Sequence, residues 1–315
     1  MKGYLASRMV QGVILLILVS AVVFVVIHSA PGGPALLNQP DTDPALAQEL
    51  ADKLGLNDPI PVQYGRWLGN LIRGNLGTSY QHNDAATTLI LDRIPRTLAL
   101  SGVALLIAVT FAVPLGVLSA VYRYSLVDGV TTVIAFFGVS IPIFWLGIML
   151  IILFSVELKW LPSSGMLTVG AQPSIADLVR HLVMPALVLS TWPLAQLTRY
   201  VRSSMVEILT QDYIRTARGK GVAERRVLIR HALRNGLIPV VTVLGILTPQ
   251  LLSGAVITET IFAWPGLGRL AVDSAITRDY PVMMGVTLLA SGLVICSNII
   301  VDVTYALLDP RITYT

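Results

Sequence analysis

The chain has 315 residues, of which 54% are hydrophobic and 13% charged, against about 25% charged in an ordinary soluble domain. Its 22 basic and 18 acidic residues leave a net charge of +4, and its one cysteine, Cys296, sits in an apolar stretch. This composition excludes an ordinary soluble enzyme, a disulfide scaffold and a cysteine-based zinc site.

The charges are clustered, leaving stretches that hold no Lys, Arg, Asp or Glu. A helix rising 1.5 Å per residue needs roughly 20 such residues to cross hydrocarbon with its backbone groups satisfied internally. The first stretch, 10–30, follows Lys2 and Arg8 and ends at Pro31-Gly32-Gly33-Pro34. It exceeds the roughly 7 to 15 apolar residues of a signal peptide, and no clean small-x-small site follows. We read it as a retained anchor.

Residues 31–96 form a separate segment with helical patterning. Asp43 before Pro44 reads as an N-cap with proline at the first helical position, and a Leu46, Leu50, Leu54 stripe stops at Gly55. A second stripe, Tyr64, Trp67, Leu68 and Leu71, stops at Gly74. Tyr and Trp on a short helix suit a membrane interface, where an apolar ring body and a polar tip each find their solvent. A packed cap and a docking surface for an external partner both fit this stripe.

Five further charge-free stretches follow, at 97–122, 129–156, 182–198, 235–258 and 280–301, giving six predicted spans. The fourth is short and carries Pro185 and Pro193. With Pro114, Pro142 and Pro249 these fit kinks that line a path or flex between states, and fit better as ordinary irregularities of a helix bundle, where neighbours satisfy the freed backbone groups. Asp302, near the end of the last span, reads as a solvated or paired interfacial residue rather than a proton-relay carboxylate.

The loop 199–235 carries nine basic residues against Glu207, Asp212 and Glu224. The positive-inside rule places it in the cytoplasm, and an even number of spans puts both termini there too, in agreement with Lys2, Arg8 and Arg311. The 31–96 segment, with five basic and seven acidic residues, then lies outside. Within the loop we read two short helices joined at Gly221. Asp212 caps the first, Gly221 takes the left-handed position that ends it, and Glu224 lies in the first turn of the second. Small residues at Ala217, Gly219 and Gly221 in one tight turn permit close backbone approach by another protein. Exposed ion pairs contribute only about 0 to 1 kcal/mol each, so shape rather than charge should dominate docking there.

The wording Tyr213-Ile214-Arg215-Thr216-Ala217-Arg218-Gly219-Lys220-Gly221, followed by Arg230-His231-Ala232-Leu233-Arg234-Asn235, resembles the EAA loop of ATP-binding-cassette importer permeases, in particular the dipeptide and oligopeptide branch. The signature alanine and glycine fall at Ala217 and Gly221. Where the general signature has acidic-Ala-Ala this chain has Arg215-Thr216-Ala217, and Arg234 stands for its proline. Similar wording occurs at Pro31-Gly32-Gly33-Pro34, at Leu54-Gly55-Leu56-Asn57-Asp58-Pro59 with Gln63-Tyr64 and Leu76-Gly77, at Glu259-x-Ile261-Phe262-x-x-Pro265-Gly266-Leu267-Gly268 and at Leu308-Asp309-Pro310-Arg311, so the likeness covers nearly the whole chain.

The resemblance implies an all-α polytopic protein of the type I importer permease fold, a single transmembrane domain over 1–315 in a bacterial cytoplasmic membrane. It implies a second permease chain, two cytoplasmic ATPase subunits and an extracytoplasmic peptide-binding protein as partners. Asp212, Tyr213, Arg215, Thr216, Ala217, Arg218, Gly219, Lys220, Gly221 and Glu224 would form the coupling helix and its turn, seated in an ATPase cleft. The stretch around Glu259 and Pro265 would face the binding protein or the path entrance, and a structural turn fits it equally. No residues are assigned to the substrate path.

The chain has no G-x-x-x-x-G-K-[ST], so ATP and Mg would be used by partner subunits, with no cofactor or metal bound here. H-E-x-x-H and G-x-S-x-G are also absent, and His28, His82, His181 and His231 are scattered, which argues against an enzyme. A secondary transporter or channel would normally place charged groups deep in its spans. Nucleic-acid binding is not expected, since topology accounts for the loop's charge and only Tyr213 interleaves it. Within the family, nickel complexes, glutathione or another small solute remain alternative cargoes to peptides.

Overall fold

The computed structural model describes residues 2–30, 33–38 and 44–308. Among these the secondary structure is helical, with one isolated antiparallel bridge between Thr78 and Ala85. Packing divides them into two units, 2–97 with 265–296 and 98–264 with 297–308.

The first unit holds α1 (Lys2–Ser29), α2 (Pro44–Lys53), α3 (Ile60–Ile72), the start of α4 (Ala86–Val121), α12 (Leu267–Thr277) and most of α13 (Tyr280–Leu308). The predicted stops at Gly55 and Gly74 are found, each with positive φ. After α2, Gly55 N–H donates to Asp52 O and Leu56 N–H to Ala51 O, both at 3.0 Å. These bonds satisfy the last carbonyls of the helix. The following turn is tied by Gln63 Nε2 donating to Leu56 O at 3.0 Å and Asp58 O at 2.7 Å. Tyr64 and Trp67 lie against α1, with the Tyr64 hydroxyl 2.9 Å from Ser20 Oγ and both rings on Phe24. The aromatic stripe is therefore packed within its own unit. Asp43, Pro31 and Gly32 lie outside the described residues.

The apolar centre of this unit joins Ala86 and Ile90 of α4 to Leu267 and Leu270 of α12 and Val282 and Val286 of α13. Beside it the buried Asp279 carboxylate accepts from Ser79 Oγ, from Tyr80 N–H at 3.2 Å and from Gln81 N–H at 3.4 Å. Burial, then the neighbouring Asp279 charge, push the Tyr80 phenol up to about 12.

The second unit runs from Leu98 through α5 (Leu126–Ser140), α6 (Ile143–Leu150) with a π-helical continuation Ile151–Glu157, α7 (Ile175–Leu209), α8 (Asp212–Gly219), α9 (Glu224–Arg226) with its π-helical continuation Val227–Leu233, α10 (Arg234–Gly236) and α11 (Ile238–Ile261). The span expected over 129–156, with Pro142 as an irregularity inside it, is two helices. Pro142 disfavours helical backbone at the residue before it; Ile141 is extended (φ −76°, ψ 125°), and α5 and α6 meet at 102°. The short fourth stretch is the middle of α7, which has 35 residues and is started by Ser174 Oγ accepting from Asp177 N–H at 3.1 Å.

Among the described residues four helices are long and apolar enough to cross a membrane, or up to six spans if each of two bent pairs makes one. The two pairs are Leu126–Ser140 with Ile143–Glu157 and Val243–Leu251 with Ala255–Ile261. Glu259 is fully buried, its carbonyl accepting from Trp264 N–H at 2.8 Å, with Phe262 and Trp264 in the second unit's interior. The Asp302 side chain and residues 309–311 lie outside the described residues.

Candidate functional site

The basic loop folds as two helices across one tight turn. α8 starts after Gln211, whose side chain makes no capping bond, and Asp212 is its first helical residue. The expected Asp212 cap is thereby corrected, since the residue sits one position too late to accept from the first free N–H groups. As an anion in the first turn it still complements the helix dipole.

The end of α8 is built as expected. Gly221 has φ +74°, Gly221 N–H donates to Arg218 O at 2.9 Å, and Val222 N–H donates to Ala217 O at 3.2 Å. This pair of bonds requires left-handed backbone at residue 221, where glycine carries no steric penalty. The Arg218 guanidinium reaches across the turn and grips Glu224 with both ends, Nη2 to Oε1 at 2.6 Å and Nε to Oε2 at 3.1 Å. This contact holds the Glu224 carboxyl below the usual carboxylate range. Glu224 is in the first turn of α9.

The underside of the turn is anchored. Ile214 and Ala217 are buried in a cluster with Val201 and Met205 of α7, Val227 and Ala232 of the second helix and Val240 of α11. Ala217 therefore meets its own chain, which differs from the expectation that it would leave room for another protein. Gly219 and Gly221 have nothing within 4 Å of a notional Cβ. The upper surface is open, with Asp212, Arg215, Thr216, Arg218, Gly219, Lys220 and Gly221 exposed. Tyr213 is partly held, its hydroxyl accepting from Asn235 Nδ2 at 3.2 Å. The arrangement offers a charged, small-residue ridge on a hydrophobic footing, and among the described residues no group of His, Cys, Asp or Glu is placed to hold a metal ion.

One feature of the basic loop was not evident from the charge pattern. Arg202 donates to Asp128 of α5 through Nε at 2.6 Å and Nη2 at 2.8 Å, and Asp128 also accepts from Ser119 Oγ and Tyr124 N–H. This cluster fastens the end of α4, the start of α5 and α7 together. A signal existed in the sequence: Asp128 stands three residues after Ser125, the N-cap of α5, at the edge of an otherwise charge-free stretch.

Residues 112–314 match the family model described as the binding-protein-dependent transport system inner membrane component, and residues 1–101 match that of its N-terminal part. The chain is 45% identical over 316 residues to the oligopeptide transport system permease protein AppB of Bacillus subtilis, with both chains fully covered. It is 43% identical over 316 residues to the di/tripeptide transport system permease protein DppB of Pseudomonas aeruginosa, covering 94% of each. Its fold is similar to that of a chain of the MetNI methionine ABC transporter in an inward-facing conformation, with a TM-score of 0.58 at 20% identity, covering 71% of this chain and 97% of that one. The resemblance to the dipeptide and oligopeptide branch and the expected importer-permease fold are both borne out. The chain belongs to the family of binding-protein-dependent transport system inner membrane components.

Proposed function

We propose that this chain is a transmembrane permease subunit of an ATP-driven importer of di- and oligopeptides. Full-length likeness to AppB of Bacillus subtilis is the observation that carries the reading. The partners are a second permease chain, two cytoplasmic ATPase subunits that use ATP and Mg, and an extracytoplasmic peptide-binding protein. Both termini and the 199–235 loop are cytoplasmic, residues 31–96 are external, and the chain itself catalyses no reaction.

On this reading the α8 ridge seats in an ATPase cleft and acts as a lever. Ile214 and Ala217 tie α8 to α7 and α11 through buried contacts, and the Arg218 to Glu224 clasp holds the two loop helices at a fixed angle. Closure of the ATPases then moves α7 and α11 as packed bodies, because close-packed contacts transmit displacement rather than absorb it.

The test is to tag the chain in its native membrane, solubilise it, identify what co-purifies and measure ATP hydrolysis and peptide uptake after reconstitution. Recovery of ATPase subunits and a second six-span chain, with ATP-dependent peptide uptake, is the expected result. A lone chain without ATPase activity after crosslinking overturns the importer reading. An active complex that moves a metal complex or glutathione instead overturns only the cargo.

A further inference from the structure

One face of α7 is open, polar and bordered by two cavities of the second unit. α7 is the most buried of the four long spans: 50% of its most apolar window lies inside, against 22%, 33% and 17% for the others. Pro193, Ala195, Leu197, Thr198 and Val201 are buried, while Arg199, Tyr200 and Ser203 are exposed and Trp192 and Gln196 half-exposed. At helical spacing these last five share one side of the helix.

A groove of about 630 Å³ between α5 and α7 is lined by Gln196, Arg199, Tyr200 and Ser203, with Thr132 and Phe136 opposite. One turn earlier, a largely apolar cavity of about 350 Å³ opens at Thr191 and Trp192, beside Gly138 and Ile141 at the α5 to α6 break and Gln250 of α11. The Gln196, Arg199, Tyr200 and Ser203 side chains have no hydrogen-bond or ion-pair partner among the described residues. Arg202, which also lines this groove, is by contrast paired with Asp128 through Nε and Nη2.

The exposed face of α1, the most apolar of the long helices, looks different. On α1 the exposed face is Val13, Ile14, Ile17, Leu18, Val22 and Val25. Within the charge-free stretch 182–198, the unpaired Gln196 is costly against lipid and marks a water-filled or substrate-facing surface, and Arg199, Tyr200 and Ser203 continue its face to the cytoplasmic end of the helix. The bend between α5 and α6 adds irregular backbone beside the same face, which a membrane tolerates where it lines a cavity.

We infer that this face of α7 lines the peptide's route, and that the Arg199 guanidinium receives the peptide's terminal carboxylate at the inner end of the groove. The inference rests on the importer reading above. Every peptide carries that carboxylate whatever its side chains, so the one lining guanidinium without a partner among the described residues, beside amide and hydroxyl groups, suits a varied cargo. Arginine presents paired donors matched to a carboxylate, and the apolar cavity beside Trp192 can take a side chain.

The test uses the assembled transporter with this chain carrying Cys296→Ser, which removes its one thiol. Gln196→Cys, Ser203→Cys and, on the opposite side of α7, the exposed Leu187→Cys are added singly. A charged, membrane-impermeant thiol reagent applied to inside-out vesicles should label position 196 faster than 187, with position 203, in the cytoplasmic loop, as the positive control, and trapping the ATPases closed should change the rate at 196. Arg199→Gln should lower maximal peptide uptake about tenfold, the scale of a lost hydrogen bond to a charged group, leaving the half-saturating concentration unchanged, and Arg199→Lys should retain more activity.

Labelling at 196 no faster than at 187 overturns the route, as expected of a lipid-facing or subunit-packed surface. Full uptake by Arg199→Gln overturns the carboxylate contact. Uptake by the Cys296→Ser parent decides the importer reading separately: if the parent imports peptides and position 196 stays unlabelled, only this inference falls.

Discussion

Gly219 and Gly221 separate what the turn needs to fold from what it needs to dock. Gly221 has φ +74° and Gly219 an ordinary helical backbone, and a Cβ at either would meet nothing within 4 Å. At Gly221 the penalty is conformational alone, about 1 to 2 kcal/mol for any side chain in the left-handed region. At Gly219 the sign reverses, because alanine or leucine favours a helix over glycine by about 0.5 to 1 kcal/mol. Gly221→Ala should therefore lower the thermal unfolding temperature of the detergent-purified chain, and Gly219→Leu should leave it unchanged or raise it. If a partner approaches the ridge closely, Gly219→Leu should nevertheless reduce ATP-driven peptide uptake in proteoliposomes by about tenfold or more, equivalent to 1.4 kcal/mol. Full uptake by Gly219→Leu would refute close approach at that position. A Gly221→Ala chain as stable as its parent would refute left-handed strain as the reason for glycine there.

Three further changes test the supports around the site. Asp128→Asn leaves Arg202 without its counter-charge and should destabilise the second unit by about 3 kcal/mol, the low end for breaking a buried pair because Arg202 retains some solvent access; chemical unfolding in detergent measures it. The Arg218 and Glu224 side chains are each roughly half exposed, so a double-mutant cycle should return only about 0 to 1 kcal/mol of coupling. Because the Glu224 carboxyl is held below its ordinary range, that coupling is present above its unfolded value of about 4.3 and should vanish as pH falls through the lower folded value. Coupling that persists in acid would show that packing, not charge, joins the two residues. Asp279→Ala strands the buried Ser79 hydroxyl and the two N–H groups it served, costing about 1 to 3 kcal/mol for each group left unsatisfied, whereas Asp279→Asn keeps an acceptor and should cost less in the same unfolding assay.

Helices were legible where one physical rule dominated. Charge-free length located the apolar cores of α1, α4, α7, α11 and α13, and glycine located the ends of α2, α3 and α8. Length alone could not locate where helices extend into charged sequence. α4 begins at Ala86, eleven residues before its charge-free stretch, because Ala86 and Ile90 have apolar partners in α12 and α13. The proline at 142 was visible, but whether it bends or breaks a span depends on what packs beside it, and here α5 and α6 turn by 102°. At the site, the turn geometry followed from Gly221, while the burial of Ala217 did not, since nothing local to Thr216-Ala217-Arg218 says which side of α8 meets α7.

The loop's nine basic residues divide into two kinds once their contacts are known. Arg202 and Arg218 are committed within the chain, one clamping α5 to α7 and the other closing the turn. Arg215 and Lys220 stand exposed on the ridge, Arg225 and Arg226 on the helix after it. A partner that read charge alone would meet the exposed set wherever it fell, and the turn would need no fixed shape. Yet the Arg218 to Glu224 contact, the left-handed glycine and the buried Ile214 and Ala217 converge on holding α8 at one angle to its neighbours. Rigidity is what a lever requires and a mere charge cluster does not, so reversing Arg225 and Arg226 to Glu should change the salt dependence of docking more than maximal uptake. Undoing the clasp or the footing should instead lower ATP-coupled uptake while assembly persists.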